Sequence, residues 1–181
     1  MLVENFFGHL KTVQQHRNMV LKHCIKAGIP WRGLTHDLSK FSPTEFIPGV
    51  KYYQGNRSPN ERERELFGSS HAWMHHKGRN RHHFEYWTDY NPATKRNEPV
   101  KMPDVFIFEM FCDRVAASKI YNKGNYNVSM PLEYFTRGKH RRFIEESTGR
   151  KLEFLLTMLR DKGEDEVFRY IRRQVKKNRN K

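Results

Sequence analysis

Residues 31–40 read WRGLTHDLSK, and the rest of the chain takes its meaning from His36 and Asp37. A histidine followed by an aspartate is common by chance. The stretch reads as a short helix over 31–40, in which Asp37 could serve as a helix cap. The alternative is that the pair forms part of a metal site. Working upstream, residues 3–26 read as an amphipathic helix, with Phe6, Leu10, Val13, Val20 and Cys24 at helical spacing. His16 lies three residues after Val13 and four before Val20, so it shares their inward face. Gly28 and Pro30 end that helix. His9 and His23 stand seven residues to either side of His16 and read as surface or packing groups.

Downstream, Ser42-Pro43 opens another helix, with Ser42 as N-cap, Pro43 at the first position and Glu45 three after the cap. It runs through Phe46 and is interrupted by Pro48-Gly49. Residues 55–59 form a loop, and 60–76 a helix broken by Gly78 and Asn80. Residues 88–99 are polar, hold two prolines and read as loop. Pro103 suits the first turn of a helix over about 103–121, with an inward stripe of Phe106, Met110, Asp113, Ala117 and Ile120. A loop at 124–129 precedes two closing helices, 139–161 and 164–177, divided by Asp-Lys-Gly. No strand run and no internal repeat is evident. The expected fold is therefore all-α: a single-domain helical bundle over 1–181. Its metal-site region covers about 3–121, and its closing helices and basic tail cover 131–181.

The bulk composition bounds the partners. The 181 residues are 36% hydrophobic, but 13% are aromatic, enough for a packed core in one domain. The net charge of +14 favours an anionic partner, either a phosphorylated small molecule or nucleic acid. The tail cations Arg169, Arg172, Arg173, Lys176, Lys177, Arg179 and Lys181 could bind nucleic acid electrostatically or form a solvated face. Cys24 and Cys112 are far apart, lack metal-binding spacing and read as buried free thiols of a reducing compartment. The N-terminal residues do not resemble a signal peptide, and no window is apolar enough to span a membrane. A cytoplasmic location without membrane association is expected.

Five of the ten histidines fall in 71–83, within HAWMHHKGRNRHHFEYW, residues 71–87. An inward His16, then His36-Asp37, then this cluster, then Asp113 on an apolar helix face make an ordered set. A lone carboxylate on such a face is costly unless it is paired or metal-bound; Arg114 or Arg17 could supply the pairing. Imidazole and carboxylate together suit divalent transition metals, and oxygen ligands extend the range to manganese and magnesium. Ligands on separate helices can converge in a bundle core.

This order, H…HD…(H…H)…D, resembles that of the HD-domain superfamily of metal-dependent phosphohydrolases, which are all-α bundles. The resemblance covers about residues 16–113. THDLSK resembles the HDxxK form of the motif, and HHFE resembles a paired histidine with nearby glutamate seen in some metal-rich members. HDLSKFSPTEF, AWMHHKGRNRHHFEYW and FEMFCDRVAAS look most like an uncharacterised family of small bacterial and phage proteins in that superfamily, with no established activity. The resemblance implies His16, His36, Asp37 and Asp113 as ligands of a first ion. His75 or His76 and His82 or His83 would serve a second. One or two divalent ions are implied, of Mn, Fe, Zn, Co, Ni or Mg. Lys40 would contact phosphate near the metal. The Gly-Tyr-Pro signature of cyclic-di-GMP phosphodiesterases is absent.

Arg79 and Asn80, within the histidine stretch, are candidate substrate contacts, since arginine grips phosphate bidentately. Glu45 and Glu85 are candidates for orienting imidazoles. Trp73, Tyr86 and Trp87 could stack on a nucleobase, though packing around the site is the simpler reading. The expected function is metal-dependent hydrolysis of a nucleotide or other phosphate ester or anhydride, with Asp37 and Lys40 at the reaction centre. Two alternatives remain. One is an HD-type di-iron oxygenase built on the same ligands. The other is a basic nucleic-acid-binding protein with a structural or degenerate metal site.

Overall fold

In the computed structural model, which describes residues 2–179, the first helix α1 runs over Leu2–Ala27. Its buried positions are His9, Val13, His16, Val20, His23, Cys24 and Ala27, a single stripe at alternating spacings of three and four. His9 and His23 therefore share the face of His16 as packing groups. Phe6, expected on this stripe, is largely exposed. Lys181, named among the tail cations, lies outside the described residues.

Helix α2, Pro30–Thr35, is shorter than the expected 31–40. It stops because His36 turns extended (φ −57°, ψ 130°) and Asp37 then left-handed (φ 54°), after which a 3-10 turn covers Leu38–Phe41. Gly33 lets α2 cross α1 closely: a Cβ there would lie 2.8 Å from the Cys24 Cβ and 2.9 Å from the Leu21 Cα. Arg17 then secures the end of α2, donating from Nε to the His36 carbonyl (2.9 Å) and from Nη2 to that of Leu34 (3.1 Å).

Helix α3, Pro43–Lys51, continues through Pro48 rather than stopping there. The expected helix over 60–76 is two helices, α4 at Pro59–Phe67 and α5 at His71–Lys77. Gly68 ends the first in a left-handed conformation, and the Ser70 hydroxyl accepts from the Trp73 N–H to cap the second. Residues expected as a loop carry a small antiparallel hairpin, β1 Thr88–Asn91 with β2 Arg96–Pro99, in register Thr88 to Pro99 and Asn91 to Arg96. Its residues are polar and mostly exposed, so no alternation of hydrophobicity announced it.

Helix α6, Asp104–Asn122, matches its expected span but is buried on two faces. Ile107, Phe108, Phe111, Cys112 and Val115 enter the hydrophobic core. Met110 belongs to both the core and a cavity wall, and Asp113, Arg114, Ala117 and Tyr121 face that cavity. Helix α7, Met130–Arg137, fills a stretch to which the pattern assigned no element. Helix α8, Glu146–Arg179, starts later than expected and breaks at Gly163 (φ 78°, ψ 176°), where Asp-Lys-Gly divides the expected pair. The core joins Val20, Cys24 and Ala27 of α1, the inner face of α6, Leu132 and Phe135 of α7, and two stripes of α8. Those stripes are Leu152, Leu155, Leu156 and Leu159, then Val167, Phe168, Ile171 and Val175. Each buried leucine contributes roughly 1.5–3 kcal/mol. The result is a mostly helical fold with a two-stranded hairpin. Helices α1, α6 and α8 pack as its frame, and the α2–α5 segment docks beside α1. Cys24 and Cys112 are buried and unpaired to each other by any disulfide.

Candidate metal centre

Asp37 is the hub of the site. Its left-handed backbone leaves the carboxylate out of any capping hydrogen bond, and the side chain is 1% exposed. Asp is among the few residues that tolerate this conformation. Its two oxygens face different groups. Oδ2 lies 3.3 Å from His36 Nε2 and 3.7 Å from His16 Nε2. Asp113 Oδ1 lies 3.0 Å from His16 Nε2 and 3.7 Å from His36 Nε2, completing a set of two imidazoles and two carboxylates. Asp37 Oδ1 lies 3.3 Å from His76 Nε2 and 3.4 Å from His82 Nε2. His83 Nε2, 2.9 Å from His76 Nε2, joins this second set.

Carboxylates behind the imidazoles fix which nitrogen faces inward. Glu109 of α6, 1% exposed, accepts at Oε1 from His36 Nδ1 (3.0 Å) and His82 Nδ1 (3.3 Å), while Arg32 Nε donates to its Oε2 (2.7 Å). Glu45 of α3 accepts from His75 Nδ1 and His76 Nδ1, each at 2.7 Å. With Nδ1–H engaged, the Nε2 lone pairs of His36, His76 and His82 are left to point at the Asp37 carboxylate. Among the buried polar atoms without a hydrogen-bond partner are His16 Nε2, His36 Nε2, His82 Nε2 and Asp37 Oδ1. Orphaned acceptors this deep are costly, and a cation shared among them removes the cost.

The electrostatics agree. Burial opposes charge on Asp37, but His36, Lys40 and His76 outweigh it and hold the carboxyl well below the usual range. Burial also opposes charge on Asp113, and the adjacent His16 and His36 imidazoles bring it down likewise. Glu109, against the same penalty, is drawn to about 2 by His36 and His82. Burial opposes protonation of His36, yet Asp37, Asp113 and Glu109 raise it well above its ordinary value. The carboxylates thus hold a proton among them, a positive charge that a metal ion would displace. His16 is lowered by burial and then Lys40; His83 is lowered by burial and then its histidine neighbours. Both are kept as the neutral imidazoles that ligate metal.

Lys40 Nζ sits 2.7 Å from Asp37 Oδ2 with 30% of its side chain exposed, and opposes burial through Asp37 to keep its charge. It lines a cavity of about 920 Å³ together with His16, Asp37, His76, His83 and Asp113. The far wall carries Arg114, Arg137, Arg141 and Arg142, and aromatic Tyr134 and Phe143. Arg142 donates to the Tyr134 and Phe135 carbonyls. Arg114 has its guanidinium carbon 5.8 Å from the Phe135 ring, and its Nε has no hydrogen-bond partner.

Of the expected residues, the structure brings His16, His36, Asp37, Lys40, His76, His82, His83 and Asp113 together. His75 turns to Glu45 and stands outside the ligand sets. Arg79 is exposed, and neither it nor Asn80 lines the cavity. The Asn80 amide is spent on Ser39 Oγ (2.7 Å) and the His76 carbonyl (2.8 Å), which seats the turn after α5. Glu85 holds no imidazole; its Oε2 is buried without a partner. Trp73 stacks on His76 (5.6 Å, 30°), a packing role. Glu109 was missed, and Arg114 was considered only as an ion-pair partner for Asp113. Glu109 lies in the apolar run FIFEMFC, where the argument made for Asp113 applied equally.

Residues 5–158 match a family of unknown function (DUF5662), a span that includes both ligand sets. No curated protein and no solved structure matches the chain.

Proposed function

Since the chain belongs to that family of unknown function, we propose its activity from the site itself: metal-dependent hydrolysis of a phosphate ester or anhydride, in the manner of HD-domain phosphohydrolases. The observation that carries this reading is the division of one carboxylate, Asp37, between two adjacent ligand sets that open on a cation-lined cavity. Divalent ions held there would supply a hydroxide near neutral pH and a clamp for phosphoryl oxygens.

The chain's own residues do the rest. Asp37 stays ionised throughout and spans the two sets. Glu109 and Glu45 keep the imidazoles in the ligating tautomer. Lys40, beside Asp37 at the cavity wall, is placed to meet a phosphate oxygen and neutralise charge developing on it. Arg114, adjacent in sequence to Asp113, offers a guanidinium fork to a second anionic group of the same molecule. Guanidinium groups on the wall favour a phosphorylated substrate over oxygen chemistry, which needs no anion subsite, although the same ligands would hold two irons. The cavity volume suits a nucleotide-sized molecule.

The test is elemental analysis of protein purified without a histidine tag, with turnover of a panel of nucleotides and p-nitrophenyl phosphate in added manganese. Wild type is expected to hold one or two divalent ions per chain and to release phosphate. His36→Ala/Asp37→Ala should lose both. Turnover that survives in that variant, or a wild type that binds no ion even after manganese or magnesium is added, overturns the proposal.

A further inference from the structure

The two ligand sets are chemically unequal. The first offers two imidazoles and two carboxylates: His16, His36, Asp37 and Asp113. The second offers three imidazoles and one carboxylate oxygen: His76, His82, His83 and Asp37. We propose that the second set is a high-affinity site for a borderline ion such as zinc, cobalt or ferrous iron, with His83 as its third imidazole. The first set then takes a harder ion, manganese or magnesium, in exchange with solution. This rests on the reading of the cluster as a metal centre and adds the identity and order of its ions.

Three observations carry it. Nitrogen-rich donors select borderline transition ions, whereas mixed oxygen sets accept manganese and magnesium. Ligand separations in the second set are 3.3 Å and 3.4 Å from Asp37 Oδ1 to His76 and His82, and 2.9 Å between His76 and His83. Metal–ligand bonds of about 2.0–2.1 Å in tetrahedral array put donors about 3.3 Å apart, so little movement is needed. His76 and His82 are also buried, and each is braced by a carboxylate at Nδ1. Each set has three buried members and one partly exposed member, Asp113 in the first and His83 in the second, so charge sets the two apart. The Lys40 ammonium sits 2.7 Å from the Asp37 oxygen that faces this set, so an ion there competes with a charge already present.

His83 is the informative residue. Its Nε2 meets that of His76, which must accept because His76 Nδ1–H is committed to Glu45. Without metal, His83 donates that contact. With a cation between them, both nitrogens turn their lone pairs to it. The two states differ in the tautomer of His83, whose proton moves from Nε2 to Nδ1, and need no rearrangement of chain.

The experiment is titration of metal-free protein with cobalt(II), read by visible absorption and by elemental stoichiometry after desalting. The first equivalent should give the intense bands of a nitrogen-rich, low-coordinate site, and the second only a weak change. Asp113→Asn should leave the first equivalent intact. His83→Gln should weaken it by more than about tenfold, since even loss of an outer partner costs 10–100-fold. A first equivalent weakened in Asp113→Asn and unchanged in His83→Gln overturns the proposal. Wild type supplies a check that needs no variant. Protein loaded with two zinc ions and dialysed against manganese should keep one zinc and exchange the other; loss of both, or of neither, also overturns it. Failure of the hydrolase reading looks different: two ions binding in this order with no phosphate released.

Discussion

At the residue scale, Glu109 shows how much of the site depends on a side chain that touches no substrate. It alone joins His36, His82 and Arg32, and so braces one imidazole from each ligand set. Glu109→Gln keeps the shape but gives one acceptor oxygen and an amide that donates toward a nitrogen already carrying hydrogen. One imidazole loses its brace or turns over. Metal affinity should fall by about 10–100-fold, while far-UV circular dichroism stays helical. Competition with a chelator of known affinity measures it; an unchanged affinity would show that Glu109 serves only the Arg32 ion pair. The convergence of these residues was legible because histidine and aspartate on apolar faces need partners, and their order along the chain narrowed the partners. Which of His75 and His76 turns inward was not legible. Both Nδ1 atoms reach Glu45, and only the three-dimensional placement of α3 decides that His76 continues on to Asp37.

At the element scale, the long helices were legible and the short ones only in part, as at the Ser42-Pro43 start of α3, for a common reason. Helices α1, α6 and α8 carry stripes long enough for periodicity to repeat. Helices α2 to α5 are six to nine residues long, and their ends are set by caps and by Asp37 rather than by pattern. The break in α8 is the exception, since Asp-Lys-Gly marked it. Gly163 stands at φ 78° and ψ 176°, a region that residues with a Cβ avoid at a cost of about 1–3 kcal/mol. No heavy atom would crowd a Cβ there, so strain alone is at issue. Gly163→Ala should therefore lower unfolding free energy by about 1–3 kcal/mol in a urea titration. The alternative, straightening the helix, would pull Val167 and Ile171 from the core into which the break directs them. Equal or raised stability would mean that α8 runs straight in solution.

At the scale of the whole molecule, the same stripe of α1 that delivers His16 to the candidate metal centre also buries His9 and His23, and this couples folding to pH. Burial, assisted at His9 by Lys40, lowers both imidazoles to about 4. His23 packs 5.3 Å from the Phe168 ring and donates from Nδ1 to the Cys112 carbonyl at 3.2 Å, so it spans all three frame helices as a neutral group. In the unfolded chain the same residue titrates at its ordinary value near 6.5. Below that pH the unfolded state takes up a proton that the folded state refuses, so stability falls as pH drops from about 6.5 to 4. Glu109 acts in a lower window. Its contribution is present above the ordinary carboxylate value and is lost as pH falls toward about 2. His16 and His83 of the site, also lowered by burial, share the upper window with His9 and His23. In metal-free protein, His23→Gln should flatten the limb between pH 6.5 and 4 by up to about 3 kcal/mol, at 1.36 kcal/mol for each pH unit of displacement. The limb below pH 4 should keep its slope. Urea midpoints taken at half-unit steps of pH in chelator test this directly. A limb between 6.5 and 4 that is as steep in His23→Gln as in wild type would assign the acid sensitivity to His9 and the imidazoles of the candidate site instead of to His23.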